Sequence, residues 1–126
     1  MIIRIIMTER VVIHDHPCHL IIYYVNEKGE KDGVYRHYHD PNPTKKVEEL
    51  PLLIEDNYVN GIKHGIQKDW FGGPGSFSNF EFINGKVFEG HRIRYHSNGI
   101  IEQELIVENG KIVLDRKYDQ NGNLLN

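Results

Sequence analysis

The sequence predicts an all-β fold of consecutive antiparallel β-hairpins in a single domain that covers residues 1–126. Three observations predict it: Asn-Gly dipeptides recur, their spacing is regular, and apolar and polar residues alternate between them. Asn-Gly flanked by such alternation is a strong hairpin signal, because a type I′ turn needs positive φ at both central residues. No window of helical length keeps an apolar stripe free of turn residues, so helices are not expected.

The Asn-Gly dipeptides define an internal repeat. They occur at positions 60–61, 84–85, 98–99, 109–110 and 121–122. Gly61, Gly85 and Gly110 lie 24 and 25 residues apart, and a second series of glycines recurs between them at a similar spacing. Four repeat units are therefore predicted, at residues 23–40, 56–75, 80–99 and 104–122. Because a lone hairpin is marginally stable in water, stacked copies are needed to bury a row of side chains.

Two segments lie outside the repeats. Residues 1–22 are predicted to supply N-terminal capping strands, since an uncovered edge strand invites aggregation. The expected strands there cover residues 2–7, 10–14 and 20–25. Residues 41–55 are predicted to form an insertion loop, because prolines at 41, 43 and 51 disfavour a regular strand. Residues 45–50 are open to either one helical turn or a loop.

Alternation and glycines describe the strands more closely. Phe80 and Phe82 are expected on one face of their strand, with Glu81 on the other, because strand side chains alternate with period two. Glycines at positions 33, 65 and 90 also fall inside predicted strands. Glycine weakens strand pairing, so we expect an aromatic ring to approach the backbone closely at these positions.

Composition and charge limit the function classes. The chain carries 15 Lys and Arg against 18 Asp and Glu, a formal net charge of −3, spread evenly along the sequence. Bulk electrostatics therefore favour neither nucleic-acid nor anionic-membrane binding. Cys18 is the only cysteine, so no intramolecular disulfide can form, and no apolar run approaches the roughly 20 residues of a membrane helix. We expect a cytoplasmic protein without nucleic-acid or membrane partners.

The repeat residues resemble MORN repeats. The likeness is carried by "YVNGIKHGIQKDWF", "FINGKVFEGHRIRYHSNGIIEQELIVENGK" and "RKYDQNGNLL". It points to the bacterial variant in which a Y-x-x-G-x-x-x-G core alternates with a Y-x-x-N-G-x-L turn. It covers residues 56–125 and, more loosely, 23–40, and the fourth unit departs from it at Val107 and Asp115. The resemblance implies an elongated, curved sheet and a binding role rather than catalysis, since proteins of this variant include antitoxins that bind a toxin.

We therefore expect a non-catalytic antitoxin or immunity protein that occludes a partner toxin, with a structural scaffold or membrane-associated MORN module as the alternative. Aromatic and charged anchors carry most of the energy of tight protein pairs. An acidic, apolar insertion suits a basic partner, and alternate arginines on one strand suit carboxylates or phosphates. The expected partner-binding residues are Glu48, Glu49, Glu55, Asp56, Trp70, Arg92, Arg94 and Tyr95.

One histidine-rich segment is the best candidate for metal chemistry. "HDHPCHL" supplies His14, His16, Cys18 and His19, which are zinc-ligating residue types. In an extended strand three of them would share a face, which leaves a metal-dependent enzyme as a third hypothesis. Their spacing matches no established zinc pattern, so a polar turn between two strands is favoured. We expect no metal, no cofactor and no enzymatic activity.

Overall fold

A computed structural model describes residues 8–15, 18–40, 46–71 and 74–125. These residues form one antiparallel sheet of ten strands, which confirms the predicted all-β fold of sequential hairpins. The strands are β1 (Glu9–Asp15), β2 (His19–Val25), β3 (Gly33–His39), β4 (Leu52–Val59), β5 (Ile62–Lys63), β6 (Gly65–Asp69), β7 (Phe77–Ile83), β8 (Lys86–Tyr95), β9 (Ile101–Glu108) and β10 (Lys111–Lys117). Their order is β1-β2-β3-β4-β6-β7-β8-β9-β10, with the short β5 paired to β4, and the sheet does not close into a barrel.

The Asn-Gly turns are of two kinds. Asn60, Asn84 and Asn109 have φ of 48°, 49° and 50°, and the glycine after each is also positive, as type I′ turns require. The dipeptides at 98–99 and 121–122 also lie in turns, but there only the glycine has positive φ. The expected type I′ geometry is wrong at these two positions. At the first of them, the side-chain oxygen of Asn98 accepts the N–H of Ile100 at 3.1 Å, which favours a wider turn.

Each type I′ turn is also joined to the preceding hairpin by a backbone hydrogen bond. The N–H of the turn glycine donates to a carbonyl oxygen in the pairs Gly61–Lys31 (2.7 Å), Gly85–Lys63 (2.8 Å) and Gly110–Phe88 (2.7 Å). The turn thus fixes its own hairpin and holds that hairpin against its neighbour.

Cross-strand pairing separates the side chains into two faces. Face A is the side that carries the row Ile13, Ile21, His37, Ile54, Asp69, Ser78, Arg92, Leu105 and Asp115. Face B carries the adjacent row Val12, Ile22, Arg36, Glu55, Lys68, Asn79, His91, Ile106 and Leu114. Phe80 pairs with Gln67 and Gly90, which places it and Phe82 on face A as the alternation predicts.

Burial is shallow because a single sheet has no second layer to cover it. Among the described residues, the buried apolar side chains have exposed fractions of 4–7% and are Leu20, Leu50, Phe80 and Val107. Stability therefore depends on cross-strand side-chain pairs and on the backbone hydrogen-bond ladder more than on a deep core.

The insertion loop, predicted to end at residue 55, ends earlier in the structure. Strand β4 begins at Leu52, and the residues before it contain a 3₁₀ turn over Val47–Glu49, so a single helical turn does form there. Val47 and Tyr38 line the same small cavity on face B, and Leu50 is buried. The loop thus covers part of face B over β2 and β3. The predicted strand at residues 2–7 and the loop residues 41–45 lie outside the described part of the chain.

The glycines inside the strands are required for different physical reasons. A Cβ on Gly90 would lie 2.1 Å from the carbonyl oxygen of Asn79 and 2.8 Å from the ring of Phe80. The expected close approach of a ring is therefore found at Gly90. The same prediction is wrong at Gly65. There the atom nearest to an added Cβ is the Cβ of Asn57, at 3.6 Å, and a backbone φ of +96° explains the glycine instead.

We expect Gly90→Ala to lower the free energy of unfolding by about 3 kcal/mol or more, because backbone atoms block the added methyl group. The matched control is Gly99→Ala, since Gly99 also has positive φ (+87°) but no atom within 4 Å of an added Cβ. It should cost only about 1 kcal/mol, from backbone strain alone. Urea unfolding of both variants measures the difference, and equal losses would contradict the steric explanation.

Candidate functional site

A groove runs across face A from β4 to β10 and has a volume of about 530 Å³. Ile54 on β4 lies at one side of it and Ile112 on β10 at the other. Its floor is largely apolar and includes Phe80, Leu105 and Val107. This volume falls in the range of surface clefts that bind ligands or peptide segments. The groove is therefore a concave surface of the size that a ligand or peptide segment needs.

Two acid–base pairs stand in or beside the groove. Asp69 on β6 accepts hydrogen bonds from Nη2 of Arg94 through both carboxylate oxygens, at 3.2 and 3.3 Å. Arg94 also donates from Nη1 to the carbonyl oxygen of Phe71 at 2.7 Å, so its guanidinium is held on two sides. Asp56 and Lys63 form a longer ion pair, with 3.8 Å between the carboxylate oxygen and Nζ. In each pair the two charges compensate one another.

Arg92 differs from its neighbours. Its Nε donates to the hydroxyl oxygen of Ser78 at 2.9 Å, and its guanidinium carbon lies 5.4 Å from the ring centroid of Phe80. Within the described part of the chain, no carboxylate lies within 4.0 Å of it. Burial, followed by the nearby charge of Arg94, lowers the pKa of Arg92. Because an arginine guanidinium stays protonated in proteins, the groove holds a positive charge without a directly bound anion.

Asp56 is the partly buried acid of the site. Burial raises the pKa of its carboxyl group, and Lys63 opposes this shift. Asp56 pairs across strands with Tyr35, and burial, followed by the charge of Asp56, raises the pKa of that phenol as well. The carboxylate thus stands in a poorly solvated position at the edge of the groove.

An aromatic cluster continues face A beyond Asp56. The rings of Tyr23, Tyr35 and Tyr58 follow one another across β2 to β4, with centroids 5.7 and 6.3 Å apart. The ammonium group of Lys31 lies 5.7, 4.9 and 5.2 Å from the three ring centroids. Cation–π contacts of this kind stabilise the fold and already occupy the ring faces. We therefore assign this aromatic cluster a structural role.

The structure separates two histidines of the histidine-rich segment. The chain reverses between β1 and β2, so His14 and His19 lie on opposite faces, and His16 falls outside the described residues. Instead, Nδ1 of His19 lies 2.8 Å from Nε2 of His37 on face A. No three His, Cys, Asp or Glu side chains of residues 8–15, 18–40, 46–71 and 74–125 are grouped in a way that could hold a metal ion.

The structure divides the eight residues that the sequence singled out. It brings Asp56, Arg92 and Arg94 together in or beside the groove. It places Glu55 on face B, where the carboxylate accepts a hydrogen bond from Nε of Arg36 at 2.9 Å. Adjacent residues of a strand point to opposite faces, so Glu55 and Asp56 cannot serve one surface.

The other predicted residues lie away from the groove. Trp70 packs against Phe77, with 5.3 Å between ring centroids. The ring of Tyr95 lies 3.4 Å from the place that a Cβ on Gly75 would take, and the N–H of Tyr95 donates a hydrogen bond to the hydroxyl oxygen of Ser76 at 2.9 Å. Glu48 and Glu49 are exposed on the 3₁₀ turn.

Sequence reasoning missed three charged groove residues, Lys63, Lys68 and Asp69. All three lie on the interrupted strand formed by β5 and β6, where Gly65 breaks the regular alternation. The signal that could have found Asp69 is its distance of two residues from Gln67, which places both on the same face.

Comparison of the chain with models of protein families, with curated proteins and with solved structures found no match. The part of the chain that the structure describes contains no helix long and apolar enough to span a membrane.

The pKa of Asp56 gives a pH test. A carboxyl group whose folded-state pKa is raised stabilises the fold at low pH, and this contribution is lost as pH rises from its ordinary pKa through the raised one. We therefore expect the stability of Asp56→Asn, relative to the unchanged protein, to improve between about pH 3 and about pH 7. Urea unfolding at a series of pH values measures this difference.

Asp119 supplies a control, because its pKa is shifted in the opposite direction from the pKa of Asp56. The N–H of Asn123, its largest influence, lowers the pKa of Asp119, so its contribution is lost as pH falls below the ordinary carboxyl range. Asp119→Asn should therefore lose stability relative to the unchanged protein as pH rises over the same interval. The same trend in both variants would contradict the assignment of burial as the cause at Asp56.

Proposed function

We propose that this chain is a non-catalytic binding protein whose groove receives part of a protein partner. In its most specific form, the proposal is a cytoplasmic antitoxin or immunity protein that occludes a bacterial toxin. The observation that carries it is the groove itself, which combines an apolar floor with charged side chains held in place by neighbouring strands. The resemblance of residues 56–125 to bacterial MORN repeats supports the antitoxin form.

The same groove supports a curved, MORN-like array. Strands β4 and β10 are five positions apart in the sheet, which corresponds to about 24 Å in a flat sheet with about 4.8 Å between strands. Ile54 and Ile112 nevertheless line one groove. A sheet that bends toward face A accounts for this, because bending brings distant strands around a common space.

A groove of this construction suits occlusion. Its charged residues are fixed by cross-strand contacts before a partner arrives, so binding orders few side chains and loses little entropy. The apolar floor supplies affinity, and the fixed charges select the partner's orientation. In the proposed complex Asp56, Arg92 and Arg94 contact the partner. Glu55 and the 3₁₀ turn belong to the opposite face and do not enter this interface.

An affinity pull-down of the tagged chain from the cells that encode it, read by mass spectrometry, tests the proposal. A single stoichiometric partner that arrests growth when expressed without this chain, and not with it, is the expected result. Recovery of no partner would contradict the antitoxin form. Salt-sensitive sedimentation with liposomes in that case would favour the membrane-associated scaffold instead.

A charge placed at the groove should weaken that complex. We expect Ile112→Glu to lower affinity for the captured partner about tenfold or more, because it puts a carboxylate at the apolar side of the groove. Val113→Glu is the matched control, since Ile112 and Val113 are 65% and 54% exposed on the same strand but only Ile112 lines the groove. Calorimetry of both variants measures the difference, and equal losses would show that the partner binds elsewhere.

A further inference from the structure

Two arginines on β8 make a natural comparison. Arg92 and Arg94 are two residues apart on face A, so they share a strand, a face and similar neighbours. Arg94 is satisfied within the chain by the carboxylate of Asp69 and the carbonyl oxygen of Phe71. Arg92 is bound only through its Nε, to Ser78. The two outer nitrogens of Arg92 have no hydrogen-bond acceptor among the described residues.

The geometry leaves one edge of this guanidinium for a ligand. Nε is engaged by Ser78, and the guanidinium carbon lies over the ring of Phe80. The planar group is thus fixed in orientation, with its Nη1 and Nη2 atoms unused. Two parallel N–H donors in one plane match the two oxygens of a carboxylate.

The charges around Arg92 determine which net charge of the ligand the site can bind. Lys63 is paired with Asp56 and Arg94 with Asp69, whereas Arg92 and Lys68 line the groove without a carboxylate within 4.0 Å among the described residues. Asp69 and Asp115 act on Arg92 only from a distance. Lys68 belongs to the face B row, so of these two cations only Arg92 stands on face A, and a single cation suits a carboxylate better than a phosphate dianion.

The apolar neighbours of Arg92 favour a ligand that carries apolar groups beside its carboxylate. Leu105 pairs with Arg92 across strands, and Phe80 and Val107 form the floor beside it. A free inorganic anion gains nothing from such a surface, whereas a side chain with methylene groups and apolar neighbours does.

We infer that Arg92 binds the carboxylate of an acidic side chain of the partner, flanked by apolar residues that rest on the groove floor. This inference rests on the proposed function and deepens it by giving the chemistry of the bound segment. It assigns the anchoring role to Arg92, whereas Arg94, already paired with Asp69, contacts the partner without supplying a free cation.

The test is a nuclear magnetic resonance titration of the full chain that follows the backbone N–H signals of β8 in every variant and the Nε–Hε signal of Arg92 where that residue is present. The probes are capped peptides Leu-Glu-Leu and Leu-Gln-Leu and inorganic phosphate, all at constant ionic strength. We expect the Glu peptide to bind about tenfold more tightly than the Gln peptide, as a charge-assisted hydrogen-bond pair predicts. Equal affinity of the two peptides, or tighter binding of phosphate, would overturn the inference.

Variants locate the effect at Arg92. In Arg92→Gln the preference for the Glu peptide should disappear, whereas Arg116→Gln should keep it, because Arg116 is exposed and lies beyond the groove lining. Arg92→Lys keeps the charge but not the planar pair of donors, and it should lose most of the preference. It serves as the second variant if the Gln variant fails to fold, and a full preference in both would overturn the inference.

The captured partner separates this inference from the proposed function. If the partner binds the Arg92→Gln variant as tightly as the unchanged protein while Ile112→Glu fails to bind, the groove is the interface and the role of Arg92 is wrong. If no partner exists, the proposed function fails whatever the peptides show.

Discussion

The type I′ turns set the register on which the rest of this structure depends. Each has an Asn and a Gly with positive φ, and its glycine N–H donates to the preceding hairpin at 2.7 to 2.8 Å. Because side chains alternate along a strand, a slip of one residue would move every side chain of that strand to the other face. Arg92 and Phe80 reach the groove only because the turn at Asn84 and Gly85 holds β7 and β8 in their observed register. The position of these two side chains in the groove is thus a consequence of turn geometry.

A single-layer sheet must satisfy its polar groups without a covering layer, and Gln67 shows how this chain does so. The β4–β6 ladder is interrupted near Gly65. There the side chain of Gln67 accepts the N–H of Asn57 at 3.1 Å and donates to its carbonyl oxygen at 3.0 Å. A buried amide therefore replaces a missing strand partner, and both backbone groups keep hydrogen bonds. The same residue lines the groove, so the repair of the ladder also shapes the candidate site.

Local signals predicted more of the fold than of the site. Asn-Gly spacing and alternation predicted the hairpins and the common face of Phe80 and Phe82, because both signals act within one hairpin. The partners of Arg94 and the position of Glu55 depend on register across several strands. Register shifts between His37 and Tyr38 and between Glu81 and Phe82 alter that register, and no sequence pattern marks them. The turn type at Asn98 was missed for a related reason, since its side chain competes locally with the type I′ geometry.

The contrast between the two arginines of β8 carries the functional argument furthest. Burying part of a charged group costs free energy unless it is paired, and this chain pays no such cost at Arg94, where Asp69 and Phe71 supply acceptors. At Arg92 the same side chain, on the same face of the same strand, keeps its outer nitrogens without acceptors in the described residues. Folding gains little from that arrangement, because an apolar side chain of similar size would pack against Phe80 and Leu105 without a charge to desolvate. Binding gains from it, because a fixed and uncompensated guanidinium is ready to receive an anion when a partner displaces water from the groove.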